Sequence, residues 1–134
     1  QYIPYHPSRE KVKYRKTNYS VLVIDDDDEL RSFLKDNLAA YYHVDVAIDG
    51  VEGRKKAITQ QPDIIISDVI MPNMDGIQAL QAIKAKDPGA KVIMCSAMGQ
   101  EAMVVEAIKE GAMDFIVKPF KPDRILQTVN KILG

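Results

Sequence analysis

The chain has 134 residues, 46% hydrophobic and 28% charged, with a formal net charge of −1. That balance fits one folded domain and excludes a disordered chain or a multidomain enzyme. No apolar run approaches the ~20 residues of a membrane span, the polar amino-terminal stretch is unlike a secretory signal, and the lone Cys95 has no partner for an internal disulfide, so a cytoplasmic protein with no membrane association is expected.

Residues 1–19 hold Arg9, Lys11, Lys13, Arg15 and Lys16 against Glu10 alone, a net of +4, and show no sustained hydrophobic period. This stretch reads as a basic leader or linker ahead of a domain spanning 20–134. A short basic arm without a DNA-binding motif is weak support for nucleic-acid contact, and direct DNA binding is not expected.

From Ser20 the pattern becomes regular. Ser20-Val21-Leu22-Val23-Ile24 is a β-branched apolar run that stops at Asp25, Asp26, Asp27, Asp28 and Glu29. Leu30, Phe33, Leu34 and Leu38 then form one stripe of an amphipathic helix. Val44-Asp45-Val46-Ala47 is a weaker second run, and Gly50-Val51-Glu52-Gly53 opens a helix reaching Gln60 ahead of Pro62. Ile64-Ile65-Ile66-Ser67 ends at Asp68, and Ile77, Leu80 and Ile83 repeat until Pro88-Gly89 stops the pattern. Lys91-Val92-Ile93-Met94-Cys95 ends at Ser96, and Val104, Ala107, Ile108 and Gly111 follow. Asp114-Phe115-Ile116-Val117 ends at Lys118, ahead of a last stripe at Ile125, Val129, Ile132 and Leu133. Continuous rather than alternating runs predict strands buried on both faces. The fold class is therefore α/β: a (βα)5 chain forming a doubly wound, five-stranded parallel sheet with helices on both faces, flavodoxin-like.

In such sheets ligands bind beyond the carboxyl ends of the strands. Those ends deliver Asp25 and Asp26, Asp68, Ser96 and Lys118 to one edge. Crowded carboxylates need a cation to stay ionised, and an oxygen-only ligand set suits Mg²⁺. The cation neutralises one side of a transferring phosphoryl group, Lys118 another, and Ser96 donates a hydrogen bond. One carboxylate then serves as nucleophile and becomes an acyl phosphate.

Val23-Ile24-Asp25-Asp26-Asp27, Ser67-Asp68-Val69-Ile70-Met71-Pro72-Asn73-Met74-Asp75-Gly76, Cys95-Ser96-Ala97 and Phe115-Ile116-Val117-Lys118-Pro119-Phe120 stand in order at four strand ends. With these the sequence resembles the receiver domains of bacterial two-component systems, the CheY-like response regulators. The stretch from Met94 to Phe120 is similar to chemotaxis CheY proteins, and residues 20–70 to the receiver of a hybrid sensor kinase, so a mosaic chain is conceivable. The resemblance implies that Asp68 is the phosphoacceptor, that Asp26 ligates Mg²⁺ directly and Asp25 through water, and that the Ile70 backbone carbonyl adds a ligand. Ser96 would hydrogen-bond the phosphoryl group after a short movement and Lys118 would ion-pair with it. Phe115 would be the aromatic whose rotamer reports phosphorylation, and Lys118-Pro119 a cis peptide. The implied partners are a sensor histidine kinase or phosphotransfer protein, and a target docking on the surface of the fourth helix, fifth strand and fifth helix. Catalysis would be limited to the chain's own phosphorylation and dephosphorylation. Ile70 and Met98 stand where some relatives carry polar side chains that hold an attacking water, which implies slow self-dephosphorylation. Phe115 lacks the hydroxyl of the tyrosine common in chemotaxis relatives.

Plainer roles fit other residues. Asp27, Asp28 and Glu29 suit a helix first turn, Asp75 a cap of the third helix, and Cys95 the core. His6 and His43 lack metal-type spacing, and the six methionines divide between core and partner contacts. A small-phosphoester hydrolase would need a specificity insertion, and a nucleotide module a glycine-rich phosphate loop; neither is present. A docking-only receiver is disfavoured by the intact Asp26, Asp68, Ser96 and Lys118 set. The chain stopping after the last stripe implies no DNA-binding output domain.

Overall fold

A computed structural model describes residues 14–70 and 75–133. The strands are β1 (Ser20–Ile24), β2 (His43–Ala47), β3 (Ile64–Asp68), β4 (Val92–Ser96) and β5 (Asp114–Val117). They alternate with α1 (Asp28–Leu38), α2 (Gly50–Gln60), α3 (Gly76–Lys86), α4 (Glu101–Lys109) and α5 (Pro122–Leu133). All pairings are parallel, in the order β2-β1-β3-β4-β5, which is the doubly wound arrangement expected. The order reverses between β1 and β3, whose carboxyl ends lead to Asp25 and Asp68.

Alternation along the strands divides the core in two. Leu22, Ile24, Ile65 and Met94 point to the face covered by α2, α3 and α4, against Ala57, Leu80, Ile83 and Ala107. Val21, Val23, Ile66, Ile93, Cys95 and Ile116 point to the face covered by α1 and α5, against Leu34, Leu38, Ile125 and Val129. Each fully buried leucine or isoleucine contributes about 1.5–3 kcal/mol.

Two burial expectations are corrected. The β5 run is buried on one face only: Ile116 is 1% exposed, whereas Phe115 and Val117 are 40% and 42% exposed. β5 is an edge strand, and the short α4 leaves that side partly uncovered. For the same reason Ile108 falls off the buried stripe of α4, which retains Val104 and Ala107. Gly111 lies beyond the helix, at φ +107°. β4 begins at Val92 rather than Lys91 and includes Ser96.

The end of the basic stretch lies against the domain. Tyr14 packs edge-on to Tyr41, with ring centroids 5.6 Å apart, and joins the α1–α5 side of the core. Thr17 N–H donates to the Tyr41 carbonyl at 2.8 Å, and His43 N–H to the Tyr19 carbonyl at 2.9 Å. Arg15 and Lys16 are exposed. His6, Arg9, Lys11, Lys13, Met71 and Met74 lie outside the described residues. No helix among the described residues is long and apolar enough to cross a membrane.

Candidate functional site

The strand-end residues meet as their spacing predicts. Lys118 Nζ lies 2.9 Å from Asp68 Oδ2 and 3.1 Å from Asp25 Oδ2, bridging carboxylates from β3 and the end of β1. Asp25 is 2% exposed. Its N–H donates to the Ala47 carbonyl at 3.1 Å, and its Oδ1 accepts the Asp27 N–H at 2.9 Å. Asp26 is exposed at the rim, and one carboxylate oxygen from each of Asp25, Asp26 and Asp68 lies within 4.8 Å of the others. Asp68 Oδ1 accepts the Ile70 N–H at 3.2 Å, which holds the strand-to-loop transition against the acid.

Burial raises the Asp25 carboxyl above its ordinary value, and the Asp27 N–H and the Lys118 charge pull only part of that back. Burial acts to lower Lys118, but the hydrogen bond to Asp68 and the charges of Asp25 and Asp68 outweigh it and lift the ammonium above its ordinary value. With all three acids ionised, three negative charges face one positive charge, leaving a deficit of two that a divalent cation matches. The donors are all oxygen, which fits Mg²⁺ and not a soft metal. Asp25, Asp26 and Asp68 are the residues able to hold it, and the Ile70 backbone lies beside Asp68.

Ser96 closes β4, is 2% exposed, and pairs in register with Val117. Its carbonyl accepts the Lys118 N–H at 2.7 Å, so the backbone ties these two site residues together. Lys118-Pro119 is cis. Ser96 and Phe115 line the same groove between β5 and α4, an apolar channel completed by Val104, Val105, Ile108 and Val117. Ile70 and Met98 are 48% and 81% exposed.

The plainer readings also find their places. Asp27 is the N-cap of α1, accepting from the N–H groups of Glu29 and Leu30, with Asp28 and Glu29 in its first turn. Asp75 and Gln78 form a capping box on α3. Cys95 is buried and its thiol is pushed up to about 12 by burial, which makes it inert. Met94 is core and Met103 packs against it, whereas Met98 and Met113 are exposed. His43 is exposed at the start of β2, outside the acidic cluster.

Two supporting residues escape sequence reading. A Cβ on Gly76 would sit 2.0 Å from the Asp68 carbonyl oxygen and 2.6 Å from Val69 Cα, so only glycine lets α3 begin directly under the acid. Gln100, before α4, reaches back to the backbone next to Ser96. The adjoining Asp75 cap and the Gly99 turn mark both places in the sequence, but not the contacts made there.

The sequence matches the response regulator receiver domain across residues 21–130. It is 50% identical over 113 residues to the chemotaxis protein CheY of Listeria monocytogenes, covering 83% of this chain and 95% of that protein. To CheY of Thermotoga maritima it is 49% identical over 114 residues, covering 84% and 95%. These matches run through both halves of the chain. Among solved structures, CheY4 of Vibrio cholerae superimposes with a TM-score of 0.79 at 32% identity, covering 87% of this chain and 99% of that one. The receiver domain of NtrX from Brucella abortus gives 0.80 at 30% identity, covering 84% and 97%. With its parallel sheet and strand-end acids, the chain belongs to the response regulator receiver domain family, in its CheY-like form, and so to two-component signalling.

Proposed function

We propose that this receiver accepts a phosphoryl group on Asp68 from a phosphohistidine of a sensor histidine kinase or phosphotransfer protein in the cytoplasm. The observation that carries the reading is the Lys118 ammonium held between Asp68 and Asp25 at 2.9 and 3.1 Å, beside a third carboxylate. A carboxylate oxygen of Asp68 attacks phosphorus, the P–N bond breaks, and the imidazole leaves. Asp25, Asp26 and Asp68, with the Ile70 carbonyl as a further ligand, would hold Mg²⁺, which when bound would neutralise charge at the phosphoryl oxygens. Asp26 would ligate the cation directly and the buried Asp25 through water. Lys118 exchanges part of its contact with Asp68 for a phosphoryl oxygen. Ser96 moves to donate its hydroxyl to the same group, and Phe115 turns into the groove it shares with Ser96. Catalysis extends only to the chain's own phosphorylation and dephosphorylation.

The output is a change in the α4-β5-α5 surface, where Val105, Ile108, Phe115 and Val117 are exposed. A target protein docks there, and Asp68 phosphorylation shifts the population that binds it. The chain itself makes no direct DNA contact in this reading. Intact mass after incubation with Mg²⁺ and acetyl phosphate tests the acceptor. One added phosphoryl group, labile to hydroxylamine and absent from Asp68→Asn, is expected; equal labelling of that variant refutes the assignment.

A further inference from the structure

The turn between β4 and α4 is tied to the helix after it by side chains with no part in the scheme above. Ala97 donates its N–H to Gln100 Oε1 at 2.7 Å, and Gly99 donates its N–H to Glu101 Oε1 at 3.2 Å. Gln100 returns its own N–H to the Ala97 carbonyl at 3.3 Å, closing a four-residue turn whose third residue, Gly99, sits at φ +91°. Gln100 occupies the N-cap of α4, where a side chain ordinarily caps the helix, yet it makes no such bond. Its amide oxygen instead faces backwards, onto the peptide joining Ser96 to Ala97.

That peptide is gripped at both polar groups. Its carbonyl accepts the Lys118 N–H at 2.7 Å, and its N–H is taken by Gln100 at 2.7 Å. A peptide is a rigid plane, so Ser96 cannot swing toward Asp68 by turning this unit without giving up one grip. The Lys118 bond continues the backbone pairing of β4 with β5, whereas Gln100 is a half-buried side chain in a surface turn. The Gln100 grip is the one that yields. Ala97 and Glu101 also line the groove that Ser96 shares with Phe115, which places the Ala97 end of this contact at that groove.

We propose that Gln100 is a positioning residue that latches the β4–α4 turn, and with it Ser96, in the arrangement of the unphosphorylated chain. Release of Gln100 from Ala97 is then a step in switching. The latch rests on Asp68 phosphorylation as proposed above, and it adds an internal competitor that the phosphoryl group must overcome.

The test is a beryllofluoride titration with Mg²⁺, followed by NMR through the amide signals of Ala97 and Phe115, on wild type, Gln100→Met and Gln100→Glu. Methionine keeps the length of the side chain and removes the acceptor; glutamate keeps an acceptor. Loss of one neutral hydrogen bond predicts roughly 3- to 10-fold tighter beryllofluoride binding for Gln100→Met, with faster exchange of the Ala97 amide in the free protein. Gln100→Glu is expected to bind no more tightly than wild type, because a carboxylate accepts the Ala97 N–H at least as strongly. Wild-type affinity in a folded Gln100→Met protein overturns the latch while leaving Asp68 phosphorylation standing. Equal tightening in both variants also overturns it, since the acceptor would then be irrelevant. A wild-type chain that takes up neither beryllofluoride nor a phosphoryl group overturns the latch and the function together.

Discussion

Replacing Lys118 by methionine removes the one ammonium from a cluster of three carboxylates. Asp25 keeps its Asp27 N–H and the Arg31 guanidinium on its carbonyl, but its carboxylate, 3% exposed in the wild type, loses its one ion-pair partner among the described residues. Breaking a buried pair from one side costs about 3–5 kcal/mol, and the low end applies because the Lys118 side chain is itself 24% exposed. A loss of about 3 kcal/mol corresponds to a fall of about 10 °C in Tm for a domain of this size. The loss should depend on pH. The folded-state pKa of Asp25 is already raised, so the folded chain holds more protons than the unfolded one between the ordinary value and the raised one, and stability falls as pH rises through that window. Without Lys118 the window widens toward neutrality, so the deficit of the variant is largest near pH 7 and shrinks toward pH ~5. The pKa of Lys118 is raised in the folded state, so its own contribution is complete below its ordinary value and is lost only as pH rises through the raised one, which leaves it constant across this range. Urea unfolding by far-ultraviolet circular dichroism at the two pH values, without Mg²⁺, measures the difference. A deficit below about 0.5 kcal/mol near neutrality, or one that grows on acidification, would refute the reasoning.

Two further outcomes are expected. The aspartyl phosphate should persist for minutes or longer under native Mg²⁺ conditions, because the exposed Ile70 and Met98 side chains cannot hold a water in line with phosphorus; loss within seconds in a radiolabel chase would show otherwise. Gly76→Ala should destabilise the fold by about 3 kcal/mol, since the new methyl would lie 2.0 Å from the Asp68 carbonyl oxygen, and an unchanged urea midpoint would show that α3 can back away at no cost.

The sequence made the site legible because a parallel sheet converts a simple pattern into geometry. Each apolar run ends within one residue of its strand's end, so Asp25, Asp68, Ser96 and Lys118 are read as neighbours although up to 93 residues separate them. The helix starts at Asp27 and Asp75 were equally legible, because capping is local chemistry. Burial at the sheet edge was not. Phe115 and Val117 have the same character as the core residues of β1, and only their place on an outer strand beside a short helix leaves them exposed. The roles of Gly76 and Gln100 also stayed hidden, since each depends on how closely one segment approaches another. No periodicity encodes a 2.0 Å approach to Asp68 or a side chain turned back onto the Ala97 N–H.

The strand order also dictates when the charges can balance. Beyond the β1–β2 pair, the later strands extend from the other side of β1, β3 on β1, β4 on β3 and β5 on β4. In chain order Asp25 and Asp68 both come before Lys118, which follows Asp68 only after four further elements, α3, β4, α4 and β5. Without β5 in place, the ammonium that pairs with Asp25 and Asp68 is missing from that edge of the sheet. The same dependence runs in reverse on opening, because peeling β5 and α5 away takes the ammonium with them. Docking of the carboxyl-terminal strand and helix is thereby coupled to the acid cluster, and a cation that screens those acids should stabilise the folded domain.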